Sequence, residues 1–167
     1  MFESSDLSFR YEIRHPLYKE LDSILESWWE LVREQSIIDK RAEKNVSNIQ
    51  KSKRFIDTLF EWDYLLIAFD LDLDQIIGIG STYPDNFFLS GGPSIWNIAD
   101  VWVAKNKRRN GVAKNMVNEL EKIAKKGGAQ EIRLDVYAEN ESAYALYTSV
   151  GFGQLKETLN KKIWNIW

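Results

Sequence analysis

The stretch Arg108-Arg109-Asn110-Gly111-Val112-Ala113 stands between a run with the pattern of a strand, residues 98–104, and a run with the pattern of a helix, residues 111–126. The small residues Gly111 and Ala113 let the backbone approach a ligand closely. The unpaired amides of a helix's first turn, with the positive end of its dipole, attract anions, and the two arginines add positive charge. The stretch predicts a phosphate-binding turn. The alternative is an ordinary tight turn with solvated basic side chains.

Length and composition restrict the class of protein. The chain has 167 residues, of which 44% are hydrophobic and 13% aromatic, which is enough for one well-filled core. We therefore expect a single domain over residues 1–167. The chain contains no cysteine and one histidine, His15, which argues against a thiol nucleophile or a serine triad, and we expect no metal.

Charge and hydropathy exclude two kinds of partner. The net charge of −3 argues against a nucleic-acid partner. The longest apolar run, residues 64–69, is far too short to span a membrane, and the first residues lack the apolar segment of a signal peptide. We expect no membrane partner and a cytoplasmic location.

Helical and strand patterns alternate along the chain. Apolar residues recur at alternate positions or at spacings of three and four, which predicts strands and helices respectively. The predicted strands are residues 7–14, 64–69, 75–82, 98–104, 131–137 and 152 onward, and the predicted helices are residues 18–34, about 49–60, 111–126 and 140–150. Because helices fall between strands, we expect an α/β or α+β fold with a mixed sheet.

A second candidate motif, residues 140–152, lies C-terminal to the turn at residues 108–113. Asn140 stands at a helix start, Ala143 and Tyr147 lie on one stripe of that helix, and Gly151-Phe152 follows its end. Taken alone, Asn140 is a helix cap, Tyr147 a core aromatic and Gly151 a C-terminal cap.

In this order, with the strand Leu134-Asp135-Val136 between them, the two segments resemble the GNAT superfamily of N-acetyltransferases. The likeness covers residues 98–152 by residue identity. It implies a central twisted mixed β-sheet of about six to seven strands flanked by about four helices. It also implies acetyl-CoA as cosubstrate and acetyl transfer by direct attack of an amine, without a covalent enzyme intermediate.

The resemblance assigns roles to individual residues. The strand before the turn would splay from its neighbour and bind the pantetheine arm through the backbone of Val101 and Val103, with the Val103 amide near the thioester carbonyl. Tyr147 would protonate the departing thiolate, and Asn140 would hydrogen-bond the pantetheine or a neighbouring water. The full set of implied cofactor-binding residues is Val101, Val103, Arg108, Arg109, Asn110, Gly111, Val112, Ala113, Asn140, Ala143 and Tyr147.

The general base is where this chain departs from the family pattern. Some family members carry a glutamate early on the strand before the turn, and the comparable position here is Asn97, which cannot accept a proton. Asp100 is the leading substitute, and its alternative role is a structural carboxylate. Glu61 and Asp63 are weaker candidates, and Tyr83 is weaker still.

The acceptor is a small-molecule or peptide amine whose identity no motif specifies. In the family it is selected by the first two helices and the loop before the fourth strand, here residues 18–60 and 83–96. The acidic Asp57, Glu61 and Asp63 suit a cationic amine. The resemblance allows a homodimer, since family members often dimerise.

Two other functions compete with acetyl transfer. A non-catalytic GNAT-like domain would bind acyl-CoA or a protein partner without transfer. A dinucleotide-binding site built on Gly78-Ile79-Gly80 fails, because Tyr83 replaces the third small residue and Pro84 follows where a helix should begin.

Overall fold

The computed structural model describes residues 9–39, 46–85 and 94–159. Within them the chain forms a sheet of five strands in the order β1-β2-β3-β4-β5, with α-helices on both faces. The elements are β1 (Tyr11–Arg14), α1 (Leu21–Gln35), α2 (Val46–Glu61), β2 (Leu65–Asp70), β3 (Gln75–Pro84), β4 (Ile95–Val103), α3 (Val112–Lys126), β5 (Glu131–Arg133) and α4 (Glu141–Ser149). Short 3₁₀ turns at Tyr18–Glu20 and Lys105–Lys107 precede α1 and follow β4.

The sheet is mixed, as the sequence predicts. Strands β1 to β4 pair antiparallel, and β5 pairs parallel to β4. The β4–β5 pairing is short, because it joins only Ile95, Trp96 and Asn97 of β4 to β5. Beyond Asn97, β4 continues without its β5 partner.

The strand count is slightly lower than predicted. Residues 134–137 and 152–159 lie outside any strand. The apolar side chains that suggested strands there, among them Leu134 and Phe152, do pack against the core on the α3 side. Alternating burial therefore also occurs in a segment that is not hydrogen-bonded to a neighbouring strand. The two-residue period of apolar residues does not distinguish such a segment from a strand.

Two apolar clusters cover the two faces of the sheet. One joins β2, β3 and β4 to α3 through residues such as Met116 and Leu120, both fully buried. The other packs α1 and α2 onto β2 and β3 through residues such as Ile24 and Ile67. Burial of each large aliphatic side chain stabilises the fold by about 1.5–3 kcal/mol. The sheet is thus held between α1 and α2 on one side and α3 on the other.

The Gly78-Ile79-Gly80 segment lies inside β3, and the next element among the described residues is the strand β4. A Cβ at Gly80 would come within 2.9 Å of Leu120 Cδ1, and one at Gly78 within 2.9 Å of the Trp102 carbonyl oxygen. These glycines therefore serve close packing between strand, helix and neighbouring strand. Within the described parts of the chain, no helix has the length and apolar character needed to cross a bilayer.

Candidate active site

The open edge of β4 is the first element of the site. The Ala104 amide, just after β4, donates to the Ile77 carbonyl of β3 at 2.8 Å. Since backbone groups of successive strand residues face opposite edges, those of Val103 and Val101 face away from β3, toward the space where β5 has diverged. The Val103 side chain is only 5% exposed and lies in the core, so its backbone alone can meet a ligand.

The turn at residues 108–113 begins beside this edge. Arg109 has φ +66° and Gly111 has φ +76°, and this left-handed backbone curls the chain immediately before α3 begins. Such curled backbone directs successive amides toward one side and forms anion-binding concavities. The side-chain nitrogen of Asn110, Nδ2, donates to the backbone carbonyls of Lys107 and Arg108 at 3.2 and 3.1 Å, and these hydrogen bonds stabilise the turn.

The space over the turn is open. A Cβ at Gly111 would meet no atom within 4 Å, and Gly111 has no side chain with which to cap α3. The first amides of the helix, which begins at Val112, therefore have neither a helical partner nor a side-chain cap. Val112 is itself 1% exposed, and its side chain packs in the core cluster on the α3 side. This arrangement fits a pyrophosphate group, which needs both donors and room.

Two of the basic residues at the turn hold it to the rest of the fold. Arg108 donates from Nη2 to both carboxylate oxygens of Glu34, at 2.7 and 2.8 Å, and from Nε to the Val103 carbonyl at 2.8 Å. Lys107 pairs with the fully buried Asp70 at 2.5 Å. That hydrogen bond holds the pKa of Asp70 below its ordinary value, against the opposing effect of burial.

The remaining cations around the turn face solvent. Arg109, Lys105 and Lys114 are exposed. The sequence predicts the same role, as countercharge, for Arg108 and Arg109, but the guanidinium of Arg108 is already paired with Glu34 in the last turn of α1.

Asn140 and Ala143 form the start of α4. The Asn140 side-chain oxygen accepts from the Ala143 amide and from the Ser142 hydroxyl, each at 3.2 Å, so Asn140 caps the helix. Its side-chain nitrogen, Nδ2, makes no hydrogen bond within residues 9–39, 46–85 and 94–159, whereas its backbone amide donates to the Tyr137 carbonyl at 2.9 Å.

Tyr147 is half-buried on α4, where its ring packs edge-on against Phe152 with centroids 6.1 Å apart and touches the cluster on the α3 side. Burial, and then the negative charge of Asp100, raise the pKa of the Tyr147 phenol. The hydroxyl is therefore protonated at neutral pH, and it lies within electrostatic reach of Asp100.

Asp100 sits in a bulge of β4. Ile79 pairs with Trp102 while Ser81 pairs with Ala99, so that two residues of β4, Asp100 and Val101, oppose one residue of β3. Asp100 takes the left-handed conformation, with φ +56°. The bulge turns its side chain toward α1, on the sheet face opposite to the one that Tyr147 contacts.

Each oxygen of the Asp100 carboxylate has one donor. Trp28 Nε1 donates to Oδ1 at 3.0 Å, and the Ser81 hydroxyl donates to Oδ2 at 2.9 Å. Burial raises the pKa of Asp100, and these two hydrogen bonds act in the opposite direction. The result is a partly desolvated carboxylate beside the open edge of β4.

The weaker base candidates differ in their surroundings. Glu61 and Asp63 are exposed near the end of α2. Tyr83 is half-buried and packs edge-on against Phe55, with centroids 6.0 Å apart. Burial raises the pKa of the Tyr83 phenol, and the charge of Asp100 adds to that effect, as do two further carboxylates. Tyr83, placed last by the sequence, thus shares the surroundings of Asp100.

Three residues that hold the site together had no signal in the sequence. Trp28 and Ser81 bind Asp100 from 72 and 19 residues away, and Glu34 binds Arg108 from 74 residues away. A local pattern indicates burial, but it does not identify a partner this distant in the chain.

A cleft of about 260 Å³ lies between α1 and α2 on the Asp100 side of the sheet. The indole of Trp28 forms part of its wall. The lining residues are Trp28, Trp29, Val32, Gln35, Asn48, Lys51 and Ser52.

Residues 19–152 match the model of the acetyltransferase (GNAT) family. The match covers more than half of the chain, and the chain therefore belongs to the GNAT acetyltransferase family. The family and the mixed fold predicted from the turn and from residues 140–152 are confirmed.

A curated relative matches the chain at low sequence identity. Glucosamine 6-phosphate N-acetyltransferase 1 from Dictyostelium discoideum is 26% identical over 102 residues, which are 61% of this chain and 62% of the relative. The chain thus matches less than two thirds of that relative's length.

Two solved structures share the fold. Glucosamine-6-phosphate N-acetyltransferase from Arabidopsis thaliana has a TM-score of 0.68 at 18% identity, covering 92% of this chain and 99% of that one. A predicted acetyltransferase with acetyl-CoA from Clostridium acetobutylicum has a TM-score of 0.68 at 20% identity, covering 92% and 97%.

Proposed function

We propose that the protein transfers the acetyl group of acetyl-CoA to a primary amine by direct attack in a ternary complex. The observation that carries the proposal is the divergence of β4 and β5 after Asn97. It leaves an open strand edge with an anion-binding turn at its end, Asp100 on one face of the sheet and Tyr147 in contact with the other.

The donor would be held mainly by backbone groups. The amides from Arg109 to Ala113 would bind the pyrophosphate, with exposed Arg109 and Lys114 as countercharge. Val101 would offer both its amide and its carbonyl to the pantetheine arm. Val103 would offer only its amide, since Arg108 occupies its carbonyl. That amide would also stabilise the oxyanion that develops on the thioester carbonyl.

Asp100 would be the general base. An alkyl ammonium group has a pKa of about 10 and no lone pair, so it must first lose one proton to water and attack as the neutral amine. As the bond to the carbonyl carbon forms, the nitrogen becomes positively charged and acidic, and a carboxylate with a raised pKa can accept its second proton at that stage. The tetrahedral intermediate then collapses, the carbon–sulfur bond breaks and the amide remains.

Tyr147 would assist the departure of the sulfur. Burial raises the pKa of Tyr147, and the charge of Asp100 adds to that effect while Asp100 is ionised, so the phenol is protonated. Proton uptake by Asp100 removes that charge and lowers the pKa of Tyr147. The phenol is therefore a better donor to the thiolate after the base has acted, which fits the order of the two proton transfers.

The acceptor class is tested with wild-type protein. Acetyl-CoA binding is measured by calorimetry, and release of the CoA thiol is followed with a panel of amines: glucosamine 6-phosphate, a polyamine, a lysine-containing peptide and a peptide with a free N-terminus. We expect release that depends on one class of amine. Binding of acetyl-CoA without release on any amine would favour a non-catalytic binding domain.

A further inference from the structure

Trp28 belongs to α1 but reaches across to the bulge of β4. Its Nε1 lies 3.0 Å from Asp100 Oδ1. The rest of the indole borders the cleft between α1 and α2 and packs edge-on against Trp29, with centroids 5.1 Å apart. One side chain therefore joins the helix that lines this cleft to the carboxylate beside the open strand edge.

Ser81 completes the arrangement on the other oxygen. Its hydroxyl lies 2.9 Å from Asp100 Oδ2 and 3.2 Å from the Ala99 carbonyl. A serine hydroxyl has a single hydrogen, and the shorter distance with the charged acceptor favours Asp100. Ser81 is fully buried, so water does not replace this donor.

Within the described residues, the titratable groups whose pKa is raised by the charge of Asp100 are two phenols, Tyr83 on β3 and Tyr147 on α4, and Tyr147 packs on the other face of the sheet. Both are neutral while the carboxylate is charged. No lysine or arginine of the described segments shares an ion pair with Asp100. The charge on Asp100 therefore depends on its two neutral donors.

We propose that Trp28 is a positioning residue for the acetyl transfer: with Ser81, it orients the Asp100 carboxylate and keeps it in the ionised form that can accept a proton. The inference rests on the proposed role of Asp100 as the base. Hydrogen bonds to an ionised carboxylate favour the charged form, whereas burial opposes it. The two donors fix both oxygens, so the lone pairs that remain have a defined direction.

The test is the pH dependence of kcat/KM, which reports the pKa values of the free enzyme. Trp28→Phe keeps an aromatic ring in place but removes the donor, so the pKa of Asp100 rises. The acid limb of the profile should move to higher pH by about one unit, as expected for one hydrogen bond to a charged group. Ser81→Ala should move the limb in the same direction.

Trp102→Phe is the matched control. Trp102 packs on the same face of the sheet, but its Nε1 donates to Glu34 at 3.2 Å and not to Asp100. The acid limb should stay at its wild-type position. A merely structural role for Trp28 would lower kcat in Trp28→Phe and leave its acid limb at the wild-type position.

A carboxyl ¹³C titration of Asp100 separates this inference from the proposed function. A rise in the carboxyl pKa in Trp28→Phe, matched by the shift of the acid limb, supports the inference. An unchanged carboxyl pKa in folded Trp28→Phe and Ser81→Ala overturns it, whatever their activity. If Trp28→Phe does not fold, as judged by thermal melting, Ser81→Ala decides.

A third result would contradict the base assignment itself. Suppose that Asp100→Asn keeps wild-type turnover while the carboxyl pKa of Asp100 still rises in Trp28→Phe. The Trp28 hydrogen bond then stabilises the ionised form of Asp100, but the reaction does not need that carboxylate. That result overturns the base step of the proposed function and the positioning role of Trp28 in the reaction, but not the hydrogen bond between Trp28 and Asp100.

Discussion

The turn at residues 108–113 and the carboxylate of Asp100 are built in different ways. In the proposed donor site the turn contributes backbone amides, and their direction depends on local features: left-handed φ at Arg109 and Gly111, and the side-chain hydrogen bonds that Asn110 makes two and three residues back. The Asp100 carboxylate depends on donors from α1 and β3, far away in the chain. A site made of backbone groups is thus encoded locally, whereas a site made by one charged side chain depends on the whole fold.

Tyr147→Phe tests the region of the site that carries the chemistry. Loss of the phenol donor should lower kcat on the order of a hundredfold, because stabilisation of the leaving group is lost. Acetyl-CoA affinity, measured by calorimetry, should stay unchanged. Tyr144→Phe, at a position 51% exposed on the same helix, is the control and should keep wild-type kcat. Equal kcat in the two variants would remove the acid role.

Gly111→Val tests the backbone region. The new side chain would project into the open space over the turn, and we expect acetyl-CoA affinity to fall by at least about tenfold, or 1.4 kcal/mol. Valine at φ +76° also costs stability, on the order of 1–3 kcal/mol.

Gly128→Val controls for that backbone strain. Gly128 has φ +89° and equally open surroundings, but it lies at the other end of α3. It should lose stability in a thermal melt and keep wild-type affinity. Loss of affinity in both variants would mean that backbone strain, and not occupation of the turn, caused the effect at Gly111.

The two arginines of the turn should differ. Arg109→Gln removes an exposed charge, so acetyl-CoA affinity should fall a few-fold and become less sensitive to salt. Arg108→Gln breaks the partly exposed pair with Glu34 and should cost about 0.2–1 kcal/mol of stability, with the salt dependence of binding unchanged. Titrations at two salt concentrations compare them. Loss of the salt dependence in Arg108→Gln alone would mean that its guanidinium binds the ligand.

Asp100→Asn should also change the titration of Tyr147, which is the smallest effect. The carboxylate charge disfavours the tyrosinate, so its removal should lower the pKa of Tyr147. Ultraviolet titration of the phenols, with Tyr147→Phe in the same background to assign the signal, measures the shift. A pKa that does not move would mean that the two groups are not coupled.

The contrast between the locally encoded turn and the Asp100 carboxylate, whose donors are distant in the chain, explains which features could be predicted from the sequence. The turn, α3 and the start of α4 are contiguous, so their residue types sufficed to predict the family and the mixed fold. The alternation of Ile132, Leu134 and Val136 predicted a strand up to residue 137, but β5 ends at Arg133, because packing on α3 does not require a ladder.

The surroundings of Asp100 were beyond such reasoning. The sequence did not indicate which face of the strand Asp100 occupies, since one bulge residue shifts the register of all that follow. Its donors were equally hidden, because a tryptophan on an amphipathic helix and a serine in an apolar strand match ordinary core patterns.

Single-turnover acetyl transfer by Asp100→Asn tests the central claim most directly, with the acceptor found in the amine panel and acetyl-CoA affinity measured on the same sample. Asp63→Asn removes an exposed carboxylate and is the matched control. The account predicts that Asp100→Asn loses about 10²- to 10⁴-fold in the rate of transfer with its acetyl-CoA affinity intact, while Asp63→Asn keeps both. A wild-type rate in Asp100→Asn would contradict it.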